Sequence, residues 1–403
     1  MNTIQGGVCA AKGFQAAGVR CGVRKNKDKR DLALIMSDRP AAAACVYTTN
    51  LVQGAPIQVT REHMKNGYAR AILCNSGNAN TCNDNGVETA EAMCGLLAKE
   101  SGIAAADVIV ASTGVIGQPL PIQPIAAGMP ALVQSLGDNS ADAAEAIMTT
   151  DLRRKETAVE FQLSGKACRL GGIAKGSGMI HPNMATMLVF LTTDAAISPA
   201  LLQKALKADI ADTFHMISVD GDTSTNDMVS ILANGAAENT MVTGPGADYD
   251  AFCAALRQAT TYLCRAIARD GEGATKLVEC AVTGATDRET ARVAAKGVIC
   301  SSLFKAAMFG ADANWGRVLC ALGYCGAALD IHKVDVAFRS QAGYVAVCRA
   351  GAGIPFSEET AKAVLSADEI RVEIELHSGA GEAVAWGCDL SYDYVKINGD
   401  YRT

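Results

Sequence analysis

Short apolar runs and amphipathic stretches alternate along all 403 residues, with no long polar gap between them. Residues 69–74 (ARAILC) read as a strand ending in a polar, turn-rich loop from Asn75 to Asn80. Residues 107–111 (DVIVA) read as a second strand, followed by a loop from Ser112 to Gly117. Both loops set glycine among small polar residues, where a backbone can approach a ligand closely. Residues 184–191 form an apolar run of the kind a buried strand makes. Ser198 followed by Pro199 predicts a helix start, with Leu202, Ala205, Leu206 and Ile210 on one face. In residues 250–269, Phe252, Leu256, Ala259, Leu263 and Ile267 recur at helical spacing, and Gly271 is the expected stop. Near the end, Ile370, Val372, Ile374 and Leu376 alternate with charged residues. A turn at 378–381 then leads into residues 383–390, which predicts a hairpin with one buried face. Helices interleaved with strands and a C-terminal hairpin make α/β or α+β the expected class.

Composition narrows the functional classes. Hydrophobic residues are 49% but aromatic ones only 5%, and there are 39 glycines, so close backbone packing is expected in place of bulky cores. Lys plus Arg number 36 against 42 for Asp plus Glu, a net charge of −6 that argues against a nucleic-acid partner. No apolar run approaches the ~20 residues of a membrane helix, so no membrane partner is expected. The first 18 residues lack the basic start and apolar core of a secretory signal. The 15 cysteines contain no CxxC pair and the five histidines are dispersed. That pattern fits buried thiols in a reducing, cytoplasmic compartment and predicts neither a disulfide framework nor a metal site. Residues 220–227 look superficially like a calcium loop, but Thr225 stands where glycine is needed and Ile231 where the bidentate glutamate is needed. They read as a structural turn after a short strand at 216–219. Residues 171–178 are glycine-rich without the ending of a phosphate-binding loop, so no dinucleotide or nucleotide site is expected.

The most unusual segment is Lys175-Gly-Ser-Gly-Met-Ile-His-Pro-Asn-Met-Ala-Thr-Met-Leu188. Thr186 stands near the start of its apolar run. Spacing alone leaves Thr186 either an ordinary strand residue or a nucleophile exposed by cleavage before it. A hydroxyl needs a base. If the Ala185–Thr186 bond breaks, the new α-amine, with an ordinary pKa of ~8, can take the proton on the same residue. Such a site needs no histidine and no triad carboxylate.

KGSGMIHPNMATML resembles the cleavage-and-nucleophile signature of the ornithine acetyltransferases, also called glutamate N-acetyltransferases, of arginine biosynthesis. NSGNAN (75–80), STGVIG (112–117), IMTTD (147–151), SVDGDTSTND (218–227), ARDGEGATK (268–276) and NGDYRT (398–403) are similar to that family's blocks, in its order. The resemblance implies a layered α/β enzyme with N-terminal-nucleophile logic, cut into an α chain of residues 1–185 and a β chain of residues 186–403. It implies Thr186 as the acetyl-accepting nucleophile and Thr113 with Gly114 as the oxyanion-hole pair. Thr149, Lys175, Glu272, Asn398 and Thr403 match substrate-binding positions, with Thr150 a weaker alternative to its neighbour. The implied substrates are N2-acetyl-L-ornithine and L-glutamate, and in some members acetyl-CoA is also a donor. Family members form assemblies of two α and two β chains, and no metal or organic cofactor is implied. Tyr392, Tyr394, Val395 and Ile397 are the expected apolar anchors of the C-terminal tail. The alternative class is an N-terminal-nucleophile amidase or aminopeptidase using the same Thr186, which would release acetate whether or not glutamate is present.

Overall fold

The computed structural model describes residues 1–24, 26, 28–181 and 187–399. Among these residues the strands form two sheets. The first, of nine strands, runs in the order Asn2–Ile4, Lys155–Leu163, Lys166–Lys175, Leu188–Thr193, Met228–Ala233, Leu32–Tyr47, Tyr68–Asn78 and Val108–Val115. Phe14–Val19 also pairs with Leu32–Tyr47. The second, of seven, runs Ala352–Gly353, Gly343–Arg349, Asp335–Ser340, Glu369–Glu375, Leu277–Ala285, Gly381–Cys388 and Ile217–Ser218. This is the layered, mixed α/β architecture expected.

The apolar run ending at residue 191 becomes the strand Leu188–Thr193, buried along its whole length. Side chains alternate between faces in a strand, so an unbroken apolar run requires cover on both sides. Leu188 and Phe190 join a cluster with Ile173 and Leu232, while Val189 and Leu191 join another with Leu202, Leu206 and Leu263. The helix Pro199–Ile210 buries the four predicted positions. The Ser198 side chain makes no capping bond; its carbonyl accepts the Leu202 N–H at 2.9 Å, and Pro199 presets the first turn. The helix Ala247–Arg269 lies between the sheets, packing on Lys155–Leu163 and on Gly381–Cys388 with its predicted apolar stripe buried. Gly271 follows its end, where a Cβ would come 2.9 Å from Cys388 Sγ.

Two expectations are corrected. Glu369–Glu375 and Gly381–Cys388 do not form a hairpin. Leu277–Ala285 lies between them, parallel to the first and antiparallel to the second. The alternation was a sound guide to burial, but period two says nothing about the neighbour. Residues 376–380 can reach across two strand spacings, ~9.6 Å, with length to spare. The polar segments after residues 74 and 111 are also more regular than loops. The strand Tyr68–Asn78 includes Asn75 to Asn78, and Val108–Val115 includes Ser112 to Val115. These ends pair in parallel, Ser76 opposite Thr113 and Gly77 opposite Gly114, and the register breaks only beyond Gly77.

Candidate active site

The site grows from that paired strand end. Gly114 has φ +133, and a Cβ there would lie 2.3 Å from the Gly77 carbonyl carbon, so two backbones pass closer than any side chain allows. Thr113, buried beside it, accepts a hydrogen bond from Lys175 Nζ at 3.3 Å. Lys175 is the last residue of Lys166–Lys175 and is paired opposite Leu188. Burial lowers the pKa of its ammonium group, and Asp151 partly offsets that shift.

Asp151 ties the surrounding turns together. Its carboxylate accepts the Gly176 N–H at 2.7 Å and the Thr149 N–H at 2.9 Å. Lys155 Nζ bridges it to Asp270, 2.6 Å from a carboxylate oxygen of each. Asp270 in turn accepts the N–H groups of Leu152 and Arg153, and its carbonyl accepts the Ser177 hydroxyl at 2.7 Å. Thr113, Gly114, Thr149 and Lys175 are thus brought together. Gly114, Thr149 and Thr150 line a cavity of about 490 Å³ that also meets Gly77 and Arg24.

Glu272 and Asn398 form a second group on the same frame. Glu272 is buried, its N–H donates to Ser177 O at 3.0 Å, and its carboxylate accepts Asn398 Nδ2 at 2.7 Å. A Cβ on Gly178 would come 2.3 Å from the Glu272 carboxyl carbon, so that glycine lets the acid sit against the chain. The segment from Lys175 to Gly178 therefore links both groups. Asn398 lies on the helix Tyr392–Gly399, where Tyr394 is half-buried beside Asp220 but the other three expected anchors are corrected. Tyr392, Val395 and Ile397 are exposed, and no residue of that helix is buried. The tail is held by polar bonds, Asn398 to Glu272 and Ser391 to Gly273 O, and by an edge contact of Tyr392 on Phe309. Ala185, Thr186 and Thr403 lie outside the described residues.

The turn at 220–227, which the sequence marks as structural, holds both flanks of 182–186. Asp220 accepts the N–H groups of Met179 and Ile180 at 2.6 and 2.8 Å, and Thr223 Oγ1 donates to His181 O at 3.0 Å. On the other flank, Asp227 accepts the Met187 N–H at 2.6 Å. Asn226 holds Ala79 O and Ser112 O, next to Thr113. Asp220 and Asp227, at the two ends of the stretch that resembles a calcium loop, are thus spent on backbone N–H groups. Among the described residues no group of three or more His, Cys, Asp or Glu is placed to hold a metal ion. No single helix among them is long and apolar enough to cross a membrane.

Burial pushes the Asp227 carboxyl well above the usual carboxylate range, against the Met187 N–H and the Lys175 charge, which pull it down. Its Oδ2 meets no partner among the described residues. The folded protein holds this proton more tightly than the unfolded chain, where the pKa is ~3.9. Its contribution to stability is therefore complete below that value and is lost as pH rises through the folded one. Asp227→Asn keeps an acceptor for Met187 and is neutral at every pH. Its melting temperature relative to wild type is expected to climb as pH is raised from about 4 to about 8. A gap that narrows over that range would show that the ionised form is the one the fold favours.

A family model described as the ArgJ family matches residues 15–403. The arginine biosynthesis bifunctional protein ArgJ 1 of Clostridium acetobutylicum is 50% identical over 392 residues, covering 97% of this chain and 96% of the relative. The arginine biosynthesis bifunctional protein ArgJ of Symbiobacterium thermophilum is 50% identical over 406 residues, covering all of both. Among solved structures, the arginine biosynthesis bifunctional protein ArgJ of Bacillus halodurans is 46% identical with a TM-score of 0.50, covering 53% of this chain and 98% of its own. The chain belongs to the ArgJ family, that of the bifunctional proteins of arginine biosynthesis.

Proposed function

We propose that this chain cuts itself between Ala185 and Thr186 and then carries an acetyl group on Thr186 from N2-acetyl-L-ornithine to L-glutamate. The observation that carries the reading is the buried contact of Lys175 with Thr113, beside the Gly77–Gly114 approach and directly opposite Leu188. Thr186 Oγ attacks the acetyl carbonyl while its own α-amine takes the proton. Thr113 and Gly114 stabilise the oxyanion. Because Thr113 Oγ accepts from Lys175, its own O–H hydrogen is directed elsewhere and suits that role. Losing one such donor typically costs ~3 kcal/mol of transition-state stabilisation. Ornithine leaves with the proton, the acetyl group stays as an ester, and the glutamate amine then takes it to give N-acetylglutamate. Lys175 meets the substrate α-carboxylate, and Glu272 meets the side-chain ammonium of ornithine, with Thr149, Asn398 and Thr403 completing the site. The ester survives long enough to be used because the reacting groups are shut away from water, as the burial of Thr113, Lys175 and Glu272 suggests.

The processed form is one chain of residues 1–185 and one of 186–403, assembled two and two, in the cytoplasm. The Bacillus halodurans chain supports the cut, since it is matched over nearly all its length yet spans 53% of this chain. Residues 186–403 are 218 of the 403, or 54%. The relatives' description as bifunctional extends the reading to acetyl-CoA as a second donor to the same Thr186. Intact-mass analysis with and without N-acetylornithine tests it. Two chains of 185 and 218 residues are expected, the longer gaining one acetyl group. A single uncut chain that never becomes acetylated would overturn the proposal.

A further inference from the structure

The two amino acids that the proposed reaction exchanges end in opposite charges the same number of bonds from Cα, an ammonium in ornithine and a carboxylate in glutamate. Length cannot sort them, so one site that accepts both must offer each sign its own partner. Glu272 serves the ammonium in the reading above, on which this inference rests. A cation for the carboxylate, Arg24, is built into the cavity lined by Gly77, Gly114 and Thr149, on the side of Thr113 and Lys175 away from Glu272. Asp31, fully buried at the start of Leu32–Tyr47, accepts the N–H groups of Cys21 at 2.6 Å and of Gly22 and Arg24 at 3.0 Å. This pins the turn that carries Arg24. The Arg24 stem lies over Gly77, where a Cβ would come 2.7 Å from Arg24 Cγ, and its guanidinium donates to the carbonyl of Met148, next to Thr149. Burial raises the Cys74 thiol to about 12 even though Lys175 and Arg24 both pull it down, so the two cations face one buried group. Lys29 also lines the cavity.

The contacts therefore run in one path. Arg24 lies on Gly77, Gly77 is paired with Gly114, and the adjoining Thr113 is bonded to Lys175. From Lys175 the chain reaches Gly178 and Glu272 over a stretch that spans at most ~11 Å. We infer that the site sorts its substrates by charge, with Arg24, assisted by Lys29, holding the side-chain carboxylate of glutamate while Glu272 holds the side-chain ammonium of ornithine.

The test discharges the acetylated protein with L-glutamate, L-glutamine or L-ornithine, in wild type, Arg24→Gln and Arg24→Lys. In Arg24→Gln the half-saturating concentration of glutamate is expected to rise about 10–100-fold, the usual effect of losing a hydrogen bond to a charged group. The preference for glutamate over glutamine should fall with it, and the glutamate-to-ornithine ratio should move by a similar factor. Arg24→Lys should restore part of the preference and serves as the working variant if glutamine at that position prevents folding. Equal losses for glutamate and ornithine would overturn the inference, because Arg24 would then hold the α-carboxylate common to both. Unchanged constants would overturn it as well, as would loss of acetylation by N-acetylornithine in folded Arg24→Gln. Wild-type protein that never becomes acetylated would instead refute the acetyltransferase reading itself.

Discussion

Lys155→Met is expected to destabilise the protein by about 3–5 kcal/mol, the usual cost of removing one partner from a buried ion pair. Lys155 is 2% exposed, and its side chain meets Asp151 and Asp270, whose side chains are 0% and 5% exposed. Methionine fills nearly the same volume but leaves two carboxylates with their principal counter-charge gone. The fold cannot swing either acid out to water, because each also holds backbone N–H groups of the surrounding turns. Burial pushes the Asp151 carboxyl up, but the Lys155 and Lys175 ammonium groups outweigh that and hold it far below the usual range. A lowered folded pKa gives stability that is present above ~3.9 and lost as pH falls through the folded value. The deficit of Lys155→Met should therefore be greatest near neutrality and narrow in acid. Urea unfolding at several pH values measures both parts. A loss below ~1 kcal/mol at pH 7 would mean that the two acids find other partners.

Thr186→Ala is expected to give one uncut chain of 403 residues that takes no acetyl group from N-acetylornithine, with turnover down by ~10⁶-fold. Losses of that size follow when the attacking group is removed and only binding and oxyanion stabilisation remain. Thr186→Ser keeps the hydroxyl and, after cutting, the adjoining amine, so it should be processed and retain partial turnover. Intact mass and a transfer assay read all three proteins. If the alanine variant is cut and active, the nucleophile lies elsewhere. If both variants melt well below wild type, the loss belongs to folding, which is not expected because the flanking anchors at Asp220 and Asp227 are untouched.

The sequence patterns reached unequal depths. The helices Pro199–Ile210 and Ala247–Arg269 were legible because their stripes face one environment along their whole length. Burial of Ile370, Val372, Ile374 and Leu376 was legible as well, but their neighbour was not, since pairing with Leu277–Ala285 is decided by sheet order. The tail failed differently. Tyr392, Val395 and Ile397 are apolar yet exposed, and besides the edge contact of Tyr392 on Phe309 the tail is held by Asn398 and Ser391, whose partners stand more than a hundred positions away. At the site, Thr113 and Lys175 were named from motifs, and the fold brings them into contact. Asp151, Asp227 and Asp270 stood inside the quoted blocks without a role, and Lys155 and Arg24 stood outside them. A lone acid or base carries no mark of its burial, so the bridge of Lys155 between two carboxylates could only be seen in three dimensions.

In the nine-stranded sheet, Leu188–Thr193 and Met228–Ala233 are inserted between Lys166–Lys175 and Leu32–Tyr47. If the backbone is severed after residue 185, the two fragments remain stitched through the middle of one sheet, and neither can leave without tearing open the ladders on both sides. Under the proposed cut, folding would have to precede scission. Once the covalent tether is gone, recovery from denaturant becomes an encounter between two molecules, dependent on their concentration, whereas the uncut precursor refolds alone. The mature protein would in that sense carry a shape that its pieces are poorly equipped to find again.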